Sequence, residues 1–435
     1  MTRDSIPRLV LRFSTITLVS LALNSVYTLT DALMVGWGIG TNAMGALSVV
    51  YPYILLESAL STAVGSGAAS LVSRKLGEGK TREAGEITQN ARAVFYLISL
   101  GMMILGFLFL NPFLQGMGVT EELYPYAKQY FVILLFGTVF STGFSAIIRA
   151  EGKMVYSLLI WVIPLTVNIV FDAVFIFAFR WGVAGAATAT VLGQVTSFAM
   201  SLVFFSRLTV QDLRGARLKI SRMKEIMAIG LPSLIQVGSL SLTAILMNNL
   251  LRDSGGTLGI TTYAYLSKIW TLGIVPFTAL AQAISPIVGF NFGAGRRDRV
   301  LRTVSFSLLV GGIYSVIAMV FLEFLPGPLL SLFTDESGIL AAGTRGLRIL
   351  AAALPLSFLP LLFGTAFQSV GKKGWAFLLY GVNLLFLVPL AILFSSRSGW
   401  EAIWWAFLLS HLGSTLIALI PWLSSMRPVA DPESL

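Results

Sequence analysis

Long apolar runs recur along almost the whole chain, and each is long enough to cross a lipid bilayer. A membrane-spanning α-helix needs about 20 predominantly apolar residues. The apolar residues are continuous within these runs rather than alternating, which favours helices over the strands of a β-barrel. The pattern therefore predicts an all-α integral membrane protein with twelve transmembrane helices, at about 10–36, 44–71, 88–111, 128–148, 155–179, 183–206, 227–251, 261–289, 302–325, 342–368, 374–396 and 401–424.

The longest polar connection divides the chain near its middle. This segment, residues 207–226, is basic and separates six predicted spans from six others. We therefore predict an N-terminal six-helix lobe over residues 1–206, a cytoplasmic linker at 207–226, a C-terminal six-helix lobe at 227–424 and a cytoplasmic tail at 425–435.

Three short motifs of the first half recur in the second half at a nearly constant distance of 215 to 219 residues. RKLGEGKTRE at 74–83 resembles FNFGAGRRDR at 290–299, AEGK at 150–153 resembles SVGK at 369–372, and VNIVF at 167–171 resembles VNLLF at 382–386. Because six spans separate each pair, both copies have the same orientation. The pattern indicates a duplication whose two bundles are related by a pseudo-two-fold axis along the membrane normal, as in many transporters.

Composition and charge agree with this topology. The chain is 56% hydrophobic and 11% charged, with a mean hydropathy of +0.83, whereas soluble domains carry about 25% charged residues. On the predicted spans, twenty-two Lys and Arg residues lie on one side of the membrane, and only Arg180, Arg252 and Arg397 lie on the other. The positive-inside rule then places both termini in the cytoplasm, with the protein in the cytoplasmic (inner) membrane of the cell. The net charge of +10 thus reflects topology, and we expect no nucleic-acid partner.

Two carboxylates lie within the apolar spans at matched depth. Asp172 is followed by six apolar residues and lies roughly 10 Å from the outer end of its helix, and Asp31 lies at a similar distance from the outer end of the first span. Such acids cost roughly 2.5–3.5 kcal/mol each on insertion scales, so they usually face the bundle interior and serve ion or proton pathways. Asn168, four residues before Asp172, shares its helix face, and Thr190 lies nearby in depth. The four oxygen-bearing side chains predict a site for a proton or for a hard cation such as Na⁺.

Other polar residues within the spans are weaker candidates. Glu57 lies near the middle of the second span, where it could serve as a substrate or relay residue or pair structurally with Lys268 or a backbone group. Gln236, Lys268 and His411 are candidates for substrate binding or relay, although each could also be a satisfied polar group in a helix interface. The chain has no cysteine and one histidine, so neither a thiolate nor a His-rich metal site is expected.

Several motifs resemble those of the multidrug and toxic compound extrusion (MATE) family, most closely the prokaryotic branch similar to DNA-damage-inducible protein F. They are LNSVYTLTDALMVG at 23–36, SRKLGEGK at 73–80, IIRAEGK at 147–153, the segment from NIVFDAVFIF to GVAGAATAT at 168–190, and FNFGAGR at 290–296. The resemblance covers nearly the whole chain. It implies an antiporter that expels cationic or amphipathic compounds against an inward flow of H⁺ or Na⁺ by alternating access.

The resemblance also implies roles for individual residues. Asp31 and Asp172 would be the coupling carboxylates, and Asn168 and Thr190 would complete the cation site. Asn24 and Tyr27, on the first-helix motif, are further candidates for substrate binding or relay. Another branch of the family uses acids in the seventh and tenth helices, and the corresponding spans here contain none.

Other functions remain open on sequence. A flippase for lipid-linked oligosaccharides or lipid II, from the same superfamily, would need cavity cations, for which Lys268, Arg345 and Arg348 are the candidates. A passive channel is compatible with the composition, whereas a prenyltransferase-like membrane enzyme would need clustered aspartates, and here the acids are scattered singly. For the antiporter we expect no enzymatic activity and no cofactor beyond the coupling ion. We expect small cationic or amphipathic substrates, contacts with membrane lipids, and a monomer.

Overall fold

The chain folds into long α-helices joined by short turns. The computed structural model describes residues 4–117, 119–141, 143–213, 215 and 217–425. The α-helices in chain order are α1 (Ile6–Gly38), α2 (Thr41–Gly77), α3 (Thr81–Leu108), α4 (Leu110–Gly116), α5 (Tyr124–Gly137), α6 (Phe144–Ala150), α7 (Met154–Asp172), α8 (Val183–Val203), α9 (Ile220–Gly293), α10 (Arg297–Phe324), α11 (Pro326–Ser331), α12 (Ser337–Ser369), α13 (Lys373–Ser398) and α14 (Ile403–Ser425).

Eleven stretches of the described residues are long and apolar enough to cross a membrane. The longest, α9, consists of two helices that meet at Gly256, whose φ of 59° and ψ of −149° are not helical. Glycine is suited to this junction because it has no Cβ to clash at positive φ. The prediction of an all-helical membrane protein is confirmed in this coarser form, and the arrangement of twelve spans in two six-helix bundles stays a prediction.

The chain divides into two compact units. The first comprises Thr15–Gly230 together with Gly289–Gly295, and the second comprises residues 4–14, Leu231–Val288 and residues 296–425. The lobe boundaries predicted from the sequence remain predictions.

The repeated motifs form the same kind of turn in both halves of the chain. Gly152 in AEGK and Gly371 in SVGK have φ values of 80° and 87°, a left-handed conformation that favours glycine. Each is followed by a lysine that precedes the next helix, Lys153 before α7 and Lys372 before α13. This shared local geometry supports the duplication read from the sequence.

Two hydrophobic clusters form the core of the first unit. The Phe131 cluster contains residues of α1, α2, α4, α5 and α8, among them Val50. In this cluster the rings of Tyr53 and Phe131 pack edge to face, with their centres 4.9 Å apart. The Phe95 cluster joins residues of α2, α3 and α6 with others, and contains Phe95 and Phe144 at 5.0 Å. Edge-to-face pairs of this kind add stability beyond the apolar area that they bury.

Glu151 is one of the groups that hold the basic segment after α8 to the first unit. Glu151, in the AEGK turn, accepts hydrogen bonds from Thr209 Oγ1 (2.5 Å), the Val210 backbone N–H (3.0 Å) and Gln211 Nε2 (2.5 Å). Gln211 is buried and in turn accepts from Thr88 Oγ1 at 2.6 Å. The second-half motif has Val370 at the place of Glu151, so this anchor belongs to the first copy of the repeat alone.

We expect Glu151→Gln to lower the thermal stability of the purified protein. The amide cannot accept three hydrogen bonds with the strength of a carboxylate, and hydrogen bonds to charged groups contribute roughly 1.5–3 kcal/mol. The unfolding midpoint in detergent, followed by tryptophan fluorescence, should fall by about 3–8 °C. Glu121→Gln is the matched control, because Glu121 is exposed in a turn. Equal midpoints for the two variants would contradict the anchoring role.

Candidate functional site

Asn168 and Asp172 lie on one buried face of α7, as the four-residue spacing predicts. Asp172 is fully buried and Asn168 is 2% exposed. Asp172 is the last residue of α7, and a π-helical turn, Ala173–Ala178, follows it directly. Such turns are uncommon in helices and are frequent at functional sites. A buried carboxyl group thus lies where the regular helix ends.

Close packing of α8 on α7 brings Thr190 to the same place. A Cβ at Gly193 of α8 would lie 3.1 Å from the Pro164 carbonyl oxygen and 3.4 Å from Asn168 Cβ. A larger residue at this position would press against α7, and glycine allows the close approach. Thr190, one turn earlier on α8 than Gly193, therefore faces Asn168.

The Asn168 amide connects three elements of the site. We orient it by its hydrogen-bond partners, which is how amide oxygens and nitrogens are assigned. Its oxygen then accepts from the Thr190 backbone N–H at 3.0 Å, and its nitrogen donates to Tyr27 Oη at 3.1 Å and to Asp172 Oδ2 at 3.0 Å. Asn168 thereby fixes Asp172 relative to both α1 and α8.

Asp31 of α1 completes the site. Its half-buried carboxyl group lies within hydrogen-bonding range of the Asp172 carboxyl group. Tyr27, one turn earlier on α1, and Tyr130 of α5 both lie within hydrogen-bonding range of Thr190. We call Asp31, Asp172, Asn168, Thr190 and Tyr27 the acid cluster.

The acid cluster can hold one positive charge. Two ionised carboxylates present only acceptors to each other, so they form a hydrogen bond only when one of them carries a proton. Asp172 Oδ1 is buried and has no hydrogen-bond donor among the described residues. A proton shared by the two acids satisfies this geometry, and so does a small cation bound by carboxylate, amide and hydroxyl oxygens.

Two acids, rather than a larger group, supply the negative charge. Across the residues that the structure describes, no group of three or more His, Cys, Asp or Glu side chains lies close enough to hold a metal ion. The neutral amide and hydroxyl groups around the two acids suit a proton or a singly charged ion, for which one carboxylate balances the charge.

Other predicted candidates lie on α1, α9 and α14. Asn24 is half-buried on α1, about one turn before Tyr27, and Gln236 is half-buried in α9. Lys268 is exposed, and its Nζ lies 5.9 Å from the centre of the Tyr265 ring. His411 Nδ1 lies 3.1 Å from Asn383 Nδ2, and its ring packs on Trp270 at 5.4 Å. Roles for these residues stay predictions.

Sequence reasoning missed two polar residues of the first unit. Tyr130 is buried beside Thr190, and nothing in the sequence distinguishes it from the other eleven tyrosines. Gln194 lies one turn after Thr190 on α8, and its Oε1 atom is buried without a hydrogen-bond partner among the residues described. The four-residue spacing from Thr190 was a usable signal, because it places both side chains on one face of α8.

Comparison with known proteins gives matches over nearly the full length. A family model described as MatE matches residues 17–174 and 228–393. Multidrug export protein MepA of Staphylococcus aureus (strain N315) is 22% identical over 440 residues, covering 98% of this chain and 95% of that protein. The protein of the same name from Staphylococcus haemolyticus (strain JCSC1435) is 20% identical over 439 residues, covering 99% and 97%.

Solved structures share the fold. A single-substitution variant of the Vibrio cholerae MATE transporter VcmN superposes with a TM-score of 0.91 at 18% identity, covering 98% of each chain. A MOP superfamily transporter from Pyrococcus furiosus superposes with a TM-score of 0.88 at 22% identity, covering 96% of this chain and 95% of that one. At these identities the likeness establishes the fold.

Proposed function

Because the chain belongs to the MATE family, we propose that it is a secondary active multidrug exporter that exchanges cationic or amphipathic compounds for H⁺ or Na⁺. The observation that carries the proposal is the acid cluster, where Asp31 of α1 meets Asp172, which lies in a stretch, Met154–Ala178, that is long and apolar enough to cross a membrane. Intramembrane acids facing a bundle interior are typical of ion pathways. The names of the MepA relatives support export of drugs.

Coupling follows from competition for one charge. When the acid cluster binds H⁺ or Na⁺, its net negative charge falls and its attraction for a cationic compound weakens. When the ion leaves, the recharged carboxylates favour a new cationic substrate. Exchange requires only that ion and substrate stabilise different conformations of the transporter. Asp31 and Asp172 hold the charge in this scheme, and Asn168, Thr190 and Tyr27 position them.

Placement in the cell is part of the proposal. The excess of Lys and Arg in the loops on one side supports a multi-pass protein of the cytoplasmic membrane with both termini in the cytoplasm. The monomer is the proposed functional form, since the acid cluster is built entirely from one chain.

The flippase alternative is weaker because its candidate cations are neutralised. Arg345 forms an ion pair with Glu401 at 2.9 Å, and Arg348 forms one with Glu323 at 3.6 Å. A cavity that binds a lipid pyrophosphate needs cations available for the phosphate oxygens. Lys268 is the remaining candidate, and one lysine offers a poor match to a doubly phosphorylated headgroup.

Dye transport by the purified protein in liposomes tests the proposed function. We expect ethidium to move in exchange for the ion when a pH gradient or a Na⁺ gradient is imposed, and the effective gradient identifies the ion. An ionophore that collapses the effective gradient should stop the movement. Absence of ethidium transport under both gradients, together with transfer of a labelled pyrophosphate lipid between leaflets, would replace the exporter by the flippase.

A further inference from the structure

The helix breaks after α5, and the break places polar side chains between the Phe131 cluster and the Phe95 cluster of the first unit. α5 ends at Gly137, a 3-10 turn follows at Thr138–Phe140, and Ser141 is extended with φ −77° and ψ 112° before α6 begins at Phe144. Carbonyl groups at such a break leave the helical hydrogen-bond pattern. Irregular backbone at membrane depth is tolerated where it is enclosed by protein or lines a polar path.

Glu57 of α2 lies beside this break with one oxygen unpaired. Its side chain is 5% exposed, and its carboxyl group lies within hydrogen-bonding range of the Ser141 hydroxyl. Its other oxygen, Oε1, is buried and has no hydrogen-bond partner in the described part of the chain. Burying a carboxylate without a partner for each oxygen is costly. A purely structural glutamate would be expected to have both oxygens paired.

The groups that the structure shows beside Glu57 are neutral hydroxyl groups. Among the described residues, Tyr53, one turn earlier on α2, is a titratable group that faces Glu57, and the Tyr53 hydroxyl is hydrogen-bonded to Thr138 Oγ1 at 3.0 Å. The broken segment contributes the hydroxyl groups of Thr138 and Ser141. Carboxylate and hydroxyl oxygens form a set of ligands that suits a proton or a small hard cation.

Gln194 of α8 lies near both the acid cluster and this break. It lies one turn from Thr190 on α8, and a Cβ at Gly137 would collide with its Oε1 atom. Gln194 therefore reaches the last residue of α5, directly before the break that carries Ser141. Like Glu57 Oε1, its side-chain oxygen is buried without a partner among the residues described. Two side chains with an unpaired buried oxygen among the described residues thus adjoin the break, Gln194 at Gly137 and Glu57 at Ser141.

We infer that Glu57 is a second binding station for the coupling cation, H⁺ or Na⁺, reached from the acid cluster past Gln194 and the broken helix. The inference rests on the proposed coupling to an ion, but it does not depend on which compound is exported. The first unit then has two binding sites for the coupling cation, the acid cluster and Glu57, in place of one.

Infrared difference spectroscopy on the purified full-length protein tests this inference without any transport measurement. In the Asp31→Asn/Asp172→Asn background the carboxyl groups of the acid cluster are removed. We expect one buried carboxyl C=O band to appear and disappear on titration between about pH 5 and 9, and to vanish when Glu57→Gln is added. Loss of the band on addition of Na⁺ at fixed pH would identify Na⁺ as a ligand, and insensitivity to Na⁺ would identify H⁺.

A spectrum that is the same with and without Glu57 would overturn the inference. If the double variant fails to fold, the same comparison between the wild type and Glu57→Gln alone decides the question, because the wild type should then show one titrating band more than the variant. Failure of ethidium transport in liposomes would count against the proposed function and would leave this result unaffected.

The route past Gln194 has its own test. Gly137→Ala should push the Gln194 amide away and slow gradient-driven exchange about tenfold, which corresponds to roughly 1.4 kcal/mol in the barrier. Gly101→Ala is the matched control, since Gly101 is also a helical glycine of the first unit and a Cβ there meets nothing within 4 Å. Equal exchange rates for the two variants, at equal unfolding midpoints, would exclude the route.

Discussion

The Asp172→Asn variant should lose gradient-driven export of ethidium by about 100-fold or more. Losing one member of a buried, hydrogen-bonded charge pair typically costs 2–5 kcal/mol, and each 1.4 kcal/mol is a factor of ten. Asparagine has nearly the shape of a protonated aspartate and can still bond to Asn168, so we expect the variant to fold. The introduced amide cannot release a proton or balance a cation, so the acid cluster keeps only the Asp31 carboxylate.

Proteoliposomes with an imposed pH or Na⁺ gradient give the measurement. Asp253→Asn is the matched control, because Asp253 is exposed and, among the described residues, pairs with its neighbour Arg252 alone, at 3.1 Å. The control should export at the wild-type rate. Export by Asp172→Asn at half the wild-type rate or more would show that Asp172 is structural and that Asp31 or Glu57 carries the ion.

The core of the acid cluster was predictable from sequence because each of its members is costly in an apolar span. Asn168 and Asp172 interrupt an apolar run at a spacing that defines one helix face, and Asp31 has the same depth in another span. The structure brings these three residues together with Thr190. Polar residues that a membrane would exclude are therefore strong guides to a site.

The broken helix was not predictable in the same way. The sequence from Gly137 to Gly143, GTVFSTG, combines apolar residues with small hydroxyl residues and contains no proline, so it reads as part of one span at 128–148. The break depends on tertiary packing: a Cβ at Gly143 would approach the Ser61 carbonyl oxygen of α2 and lie 2.9 Å from the Phe95 ring. Close contacts between distant helices leave no periodic signal in a single sequence.

The same limit applies to Tyr130 and Gln194. Tyrosine is common in membrane helices for its amphipathic ring, so its contact with Thr190 becomes visible only when α5 and α8 pack together. His411 is a predicted candidate outside the acid cluster, and its partner is Asn383. An isolated polar residue in a span often finds its partner on a neighbouring helix.

The Asn168→Ala variant should weaken the coupling ion's apparent affinity by roughly 10- to 100-fold without abolishing export. Asn168 positions Asp172 through Oδ2 and also bonds to Tyr27 and to the Thr190 backbone. Hydrogen bonds to a charged group contribute roughly 1.5–3 kcal/mol, which corresponds to this loss. The carboxylates remain, so exchange persists when the ion concentration is raised.

The dependence of the export rate on ion concentration distinguishes a residue that positions the carboxylate from a residue that carries the charge. For Asn168→Ala the half-saturating ion concentration should rise while the maximal rate stays within about threefold of wild type, a difference of less than 1 kcal/mol in the barrier. Asn249→Ala is the control, because Asn249 is exposed and its amide donates to the Ile245 carbonyl of its own helix, at 3.0 Å, and to no other group in the described part of the chain. A lower maximal rate at unchanged half-saturation would mean that Asn168 contributes to the conformational change rather than to ion binding. Asp172→Asn removes a charged carboxylate, whereas Asn168→Ala removes only the hydrogen bonds that position it. We therefore expect loss of export for Asp172→Asn and a higher half-saturating ion concentration for Asn168→Ala.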